Sequence, residues 1–310
     1  MKVIFLGTPE FASVCLQSII NSNHQVVAVV CQPDKPSGRG NKLCPPPTKI
    51  LAQNNNIPVY QFNKIRVDGE EALKSLNADI MVTAAYGQIL SQNIIDICPH
   101  KIINVHGSLL PKYRGASPIQ TAILNGETVT GITIMETEIG IDTGDILLKE
   151  ELEIAPDDNY GTLSEKLAVL GSKLIVEALD KIEDGTITKT PQNDDEATHT
   201  KMIKKEQEVI DFNDTAQNIV NKIRAYNPSP IAKFYINQDG FKVYSAKVIK
   251  TTEDAKCGQV IQSSSKQGLV IKCSEDAIEI IEFQAPNSKR MLAKSYLNGK
   301  KIELGIIVNE

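Results

Sequence analysis

Tryptophan is absent from the 310 residues, aromatic side chains make up only 5%, and there are four histidines and six cysteines. His24, His100, His106 and His199 form no H-x-x-x-H or H-E-x-x-H pattern, which removes the usual helix-borne zinc sites, and no metal is expected. Cys15, Cys31, Cys44, Cys98, Cys257 and Cys273 lie far apart without a C-x-x-C pair, so scattered reduced thiols are expected rather than a disulfide framework. No apolar run approaches the roughly 18 residues of a membrane span. The opening MKVIFLGTPEF is too short in apolar residues for a signal-peptide core. The expected form is a cytoplasmic monomer with no membrane partner.

The residues present, 41% apolar and 23% charged, are those of a globular chain, and the length suits two domains. The net charge of −5 conceals an asymmetry: residues 1–199 carry 16 basic and 25 acidic side chains, residues 200–310 carry 17 and 13. A mildly basic carboxyl-terminal module fits either a phosphate-facing surface or a chance imbalance.

In the first half, apolar runs alternate with helical patterns. MKVIFLG reads as a strand and TPEFASVCLQSIINS as a helix, with Thr8 as its N-cap and Pro9 in its first turn. QVVAVVCQ, PVYQF, DIMVTAAY and INVHGS read as further strands, several of them buried on both faces. PTKILAQNNN, EEALKSLN and PIQTAILNG read as helices, TGITIMETE and DILLKEELEI as antiparallel strands, and GTLSEKLAVLGSKLIVEALDKIEDG as a long amphipathic helix stopped at DGT. The pattern predicts an α/β fold with a Rossmann-like, mostly parallel sheet over residues 1–189. Residues 190–208 are polar with little period and read as a linker. In residues 209–310, one amphipathic helix precedes five short strand patterns at roughly ten-residue spacing, which suggest a smaller, OB-like β-barrel.

A strand–turn–helix at the start invites a dinucleotide site, but Gly7-Thr8-Pro9-Glu10 has one glycine and an acid where phosphate would lie. Neither G-x-G-x-x-G nor G-x-x-x-x-G-K-[ST] is present. The chemistry concentrates instead in IINVHGSLLPKYRGASP, residues 102–118. Asn104 and His106 alternate on one strand, which puts both side chains on one face about 7 Å apart. They stand at the strand's carboxyl end, where open α/β sheets place their sites. GIDTGDILL, residues 140–148, presents Asp142 between two glycines. Each residue also has a plain structural reading: a satisfied buried histidine, a turn-forming asparagine, an Asx-turn in a hairpin. If Asp142 reaches His106, the three can stabilise an oxyanion and manage protons, and they include no nucleophile. That suits a reaction in which the substrate itself attacks.

INVHGSLLPKYRGASPIQ and GITIMETEIGIDTGDIL resemble the formyltransferases that use 10-formyltetrahydrofolate. GTPEFA, QPDKPSGRGNKLCPPPTKILA and RAYNPSP extend the resemblance over nearly the whole chain, toward members acting on charged initiator tRNA. The resemblance implies formyl transfer from 10-formyltetrahydrofolate to the free α-amine of initiator methionyl-tRNA. In that role Asn104 and His106 would stabilise the oxyanion, and Asp142 would orient His106 and accept the amine's proton. It implies folate contacts at Ser108, Leu109, Leu110 and Pro111, at Tyr86, Gly87, Gln88, Ile89 and Leu90, and in loop 139–143. It places Lys35, Arg39 and Lys42 at the tRNA acceptor end, with Lys201, Lys204 and Lys205 assisting. The sequence departs from the family at Ser229, where a tryptophan is usual, and at Ser117, where alanine is common.

Overall fold

Four strands of the amino-terminal region have almost no exposed side chain, and this sets the architecture: a strand apolar on both faces must be covered on both. The computed structural model describes residues 1–37 and 42–310. Strands β1 (Lys2–Gly7), β2 (Gln25–Val30), β3 (Val59–Tyr60), β4 (Ile80–Ala84), β5 (Ile102–His106), β6 (Val129–Glu136) and β7 (Ile146–Glu153) form one sheet in the order β7-β6-β5-β4-β1-β2-β3. The pairs from β5 through β3 are parallel, and β6 and β7 add antiparallel strands at one edge. This is the expected α/β layout. On one face Ile4, Leu6, Ala28, Val30 and Met81 pack with Ile65, Leu73, Ile94 and Ile95.

The helix Glu10–Ile20 follows β1, but its N-cap is Pro9, with no side-chain cap bond. Thr8 does not cap; its hydroxyl lies 3.3 Å from the Gln32 amide and 3.4 Å from the Tyr86 carbonyl, tying together the carboxyl ends of three strands. The long helix Tyr160–Glu183 ends before Gly185 at φ +68°, the left-handed stop that glycine permits.

The carboxyl-terminal region holds β8 (Ala232–Ile236), β9 (Asp239–Ile249), β10 (Val260–Ser264), β11 (Gly268–Lys272), β12 (Ala277–Gln284) and β13 (Met291–Leu292). They pair in the order β8-β9-β12-β11-β10, with β13 on β12, and the β8–β9, β9–β12, β12–β11, β11–β10 and β12–β13 pairs are all antiparallel. The tail bonds to both end strands: Asn309 N donates to Tyr235 O at 2.8 Å, and Val260 N to Ile306 O at 2.9 Å. Phe212, Phe234, Phe241, Phe283 and Tyr296 pack ring on ring in this unit, which has no tryptophan to do so. Ser229 is exposed.

The chain divides into two compact units. One comprises Met1–Pro118, Val129–Glu153 and Ser164–Thr200; the other comprises Ile119–Thr128, Ile154–Leu163 and Lys201–Glu310. Arg224, on the helix Ala216–Ala225, shows why residues 154–163 join the second unit. Its Nε donates to Asp158 O at 2.7 Å and its Nη2 to Ala155 O at 3.0 Å.

Candidate active site

β5 runs between β4 and β6 with backbone bonds on both edges, so its side-chain directions are fixed by the sheet. Val105 faces the long helix, its Cγ1 lying against Gly171. Asn104 and His106 therefore point to the opposite side together, as their alternation predicts. Thr83 pairs with Asn104 in register on β4, and its hydroxyl donates to Asn104 Oδ1 at 2.8 Å. With the amide oxygen occupied, what the Asn104 side chain still offers is its N–H donors.

His106 is only 5% exposed. Its Nε2 lies 3.0 Å from Tyr113 O; a carbonyl only accepts, so Nε2 carries a proton and donates it. Nδ1 faces Asp142 Oδ2 at 3.6 Å. That is longer than a hydrogen bond and within the range of an ion pair. Acceptors thus face both ring nitrogens, a carbonyl at Nε2 and a carboxylate at Nδ1. The structure brings Asn104, His106 and Asp142 together as a set, with Nδ1 as the nitrogen turned to the carboxylate.

Asp142 lies on an irregular segment at φ +54°, a left-handed conformation that Asp and Asn tolerate better than most residues. Its Oδ2 also accepts the Gly115 N–H at 2.7 Å. Gly115 itself sits at φ +111°, and a side chain there would strike the Thr200 carbonyl. Gly144 has no room for a side chain either, because its Cα faces the Glu136 carbonyl. The two glycines flanking Asp142 thus lie in a fitted segment: Gly140 packs against the Thr143 side chain.

Two further residues complete the arrangement, and neither was singled out from sequence. Gln192 Nε2 donates to Asp142 O at 2.9 Å and to Gly144 O at 2.7 Å. Its Oε1 accepts from Arg114 Nε at 3.0 Å and Nη2 at 2.9 Å, and Arg114 Nη2 also reaches Asp194 Oδ1 at 2.8 Å. Gln192 falls in the stretch read as a linker, and residues 190–200 are stitched along the site. Thr190 and Ile146 exchange backbone bonds, Arg114 N donates to Thr198 O at 2.8 Å, and Arg114–Gly115 pair with His199–Thr200. Arg114 lies within the motif INVHGSLLPKYRGASPIQ, which is its only sequence signal; Gln192 and Thr83 carry no local signal.

The residues expected at the folate fall into two groups. Ser108 is buried, its hydroxyl donating to Lys112 O at 2.6 Å, while Thr133 Oγ1 donates to Ser108 O at 2.7 Å and accepts from Leu110 N at 3.1 Å. Leu110 is buried, Leu109 and Pro111 half-buried, so this turn is pinned to β6. Tyr86 is buried with no partner for its hydroxyl among the described residues, and burial pushes its phenol pKa up. Its carbonyl accepts from Gln32 Nε2 at 3.0 Å. Gly87 takes φ +82°. The Gln88 amide is engaged within the fold: Oε1 accepts from Ile65 N at 2.8 Å and Nε2 donates to Phe62 O at 2.9 Å. Ile89 is exposed and Leu90 half-buried. Ile139 and Ile141, beside Asp142, are exposed apolar side chains.

Lys35 and Lys42 are exposed on a two-stranded antiparallel ribbon, Lys35–Ser37 with Lys42–Cys44. Arg39 lies outside the described residues. At the ribbon's base, Lys49 Nζ contacts both Asp34 carboxylate oxygens at 2.8 Å, and these bonds, with one from Gln61, hold the Asp34 carboxyl below the usual range. Among the described residues no hydrogen bond or ion pair links Lys35 or Lys42 to Asn104, His106 or Asp142. Lys201, Lys204 and Lys205 are exposed. All six cysteines are free, and burial pushes Cys15 and Cys273 up to about 12 and Cys31 and Cys98 up to about 11, which disfavours their thiolates as nucleophiles. No helix among the described residues is long and apolar enough to cross a membrane, and no group of three or more His, Cys, Asp or Glu is placed to hold a metal.

Comparison with known proteins follows the same outline. The formyl transferase family pattern matches residues 1–179, and that of the formyl transferase carboxyl-terminal domain matches residues 202–301. A methionyl-tRNA formyltransferase of Ruminiclostridium cellulolyticum is 44% identical over 98% of this chain and 98% of its own. That of Sulfurihydrogenibium sp. is 45% identical over 98% and 99%. Among solved structures, an N-formyltransferase from Helicobacter canadensis, in complex with folinic acid and dTDP-3-aminofucose, superposes with a TM-score of 0.67 at 22% identity, covering 90% of this chain and 99% of its own. HypX from Aquifex aeolicus, in complex with tetrahydrofolic acid, superposes at 0.64 with 16% identity over 99% of this chain and 50% of its own.

Proposed function

This chain belongs to the formyl transferase family, in its methionyl-tRNA formyltransferase branch, and from that premise we propose that it transfers the formyl group of 10-formyltetrahydrofolate to the free α-amine of initiator methionyl-tRNA. The observation that carries this reading is the meeting of His106 and Asp142 beside Asn104, on a chain matching named methionyl-tRNA formyltransferases at 41–45% identity over nearly its full length.

The amine nitrogen attacks the formyl carbon, forming a C–N bond and moving the carbonyl electrons onto oxygen. Asn104, its amide oriented by Thr83, donates to that oxyanion. Asp142 accepts the proton the amine sheds; one of its oxygens is held by Gly115 N–H, which leaves the other for this task. His106 works through Nδ1, since Nε2 is engaged with Tyr113 O, and supplies the proton that N10 of the folate needs as the C–N10 bond breaks. The products are the formamide and tetrahydrofolate. No enzyme nucleophile takes part.

The pinned turn Ser108–Pro111, the backbone of residues 86–90 and the apolar Ile139 and Ile141 suit a flat heterocycle, an apolar wall with few polar groups. On this reading residues 1–189 form the catalytic domain, 190–208 a connecting segment and 209–310 an OB-like domain that meets tRNA backbone. The tail's bonds to both end strands of that sheet support a barrel reading. Lys35, Arg39 and Lys42 meet the acceptor end. The enzyme works as a cytoplasmic monomer.

The test offers the purified protein labelled 10-formyltetrahydrofolate with charged initiator tRNA, charged elongator tRNA and glycinamide ribonucleotide in parallel. Label on the initiator methionine is expected. Label on glycinamide ribonucleotide, with none on the tRNA, would reject the assignment.

A further inference from the structure

We propose that Gln192, oriented by Arg114, is a positioning residue that clasps the Asp142 loop from the segment following the catalytic fold. The inference rests on the reading of Asp142 as the proton acceptor and adds a residue to it. The orientation of a glutamine amide is often ambiguous, but each neighbour here has one polarity. A guanidinium only donates, so the side of Gln192 facing Arg114 must be its oxygen. The opposite side must be its NH2, and it meets two acceptors, the carbonyls of Asp142 and Gly144. Arg114 is 3% exposed, so its two bonds to Gln192 are made in a largely dry setting where leaving them unmade is costly.

The clasp acts where the backbone needs holding. Asp142 sits at φ +54°, a conformation most side chains populate sparsely. Gln192 grips the carbonyl of that same residue and the one two positions on, while Gly115 N–H grips its carboxylate. Three bonds from two distant segments thus aim the carboxylate at His106 Nδ1.

The discriminating variant is Gln192→Glu. It keeps size and the acceptor for Arg114, but turns a carboxylate oxygen toward two carbonyls in place of two donors. Single-turnover formyl transfer should slow about tenfold or more, the scale of two lost hydrogen bonds, while the KM values for folate and charged tRNA stay within about twofold. Placed in an Asp142→Asn background, the same change should cost little further, since no carboxylate remains to be aimed; an equal loss in both backgrounds would reveal a merely structural role and overturn the proposal. Hydrogen exchange tests the clasp without turnover. Faster exchange over residues 138–145, with 102–106 unchanged, supports it, and unchanged exchange over 138–145 overturns it. A wild-type protein that does not formylate the tRNA would instead sink the functional reading.

Discussion

The two halves of the proposed catalytic set are held by different means. Asn104 and His106 stand on β5, whose neighbours on both sides lock it into the sheet. Asp142 stands on an irregular segment held by Gly115, Gln192 and the close approach of Gly144 to Glu136. The first half inherits the stability of the core. Val3, Ile4, Phe5 and Leu6 of β1 alone are fully buried, and each such side chain contributes about 1.5–3 kcal/mol. The second half depends on hydrogen bonds whose net worth is about 1 kcal/mol apiece. On the proposed mechanism, the site therefore pairs a donor platform as rigid as the fold with a proton acceptor that can be misplaced without unfolding anything.

The largest effect expected from this division is at Asp142. Asp142→Asn keeps a side chain suited to the left-handed backbone and removes only the basic carboxylate. Turnover should fall by at least about two orders of magnitude, the scale of a lost general base, with the melting temperature little changed. A near-normal rate would take Asp142 out of the mechanism and dissolve the contrast. A smaller effect is expected on the strand side. Thr83→Val preserves shape and removes the bond that orients the Asn104 amide, so kcat should drop several-fold, about the worth of one hydrogen bond, with KM unchanged. If Thr83→Val proved as damaging as Asp142→Asn, the platform would be less rigid than the sheet implies.

The same contrast explains what could be read from sequence. β1, β2, β4 and β5 are short apolar runs whose period fixes both burial and side-chain direction, so the α/β layout and the shared face of Asn104 and His106 follow from residue order. Asp142 stands out only by its flanking glycines and by family resemblance, since nothing local says where a loop goes. Thr83 could not be found because its value lies in the register between β4 and β5, which a single strand does not encode. Gln192 sits in TKTPQNDDEATHT, polar and without period; its partners Arg114, Asp142 and Gly144 lie 48 or more residues away. Thr8 has the right type and place for an N-cap, yet its hydroxyl is drawn to Gln32 and Tyr86. In each case regular structure was legible, and the side-chain bonds between segments distant in sequence were not.

The most direct measurement is a double-mutant cycle across the two halves. His106→Gln, Asp142→Asn and the double variant would be compared in single-turnover formyl transfer to charged initiator tRNA. Residues acting as one unit give strongly non-additive losses, so the double variant should be scarcely slower than the worse single one. Losses that simply multiply would show imidazole and carboxylate working independently, and would contradict a site assembled from both.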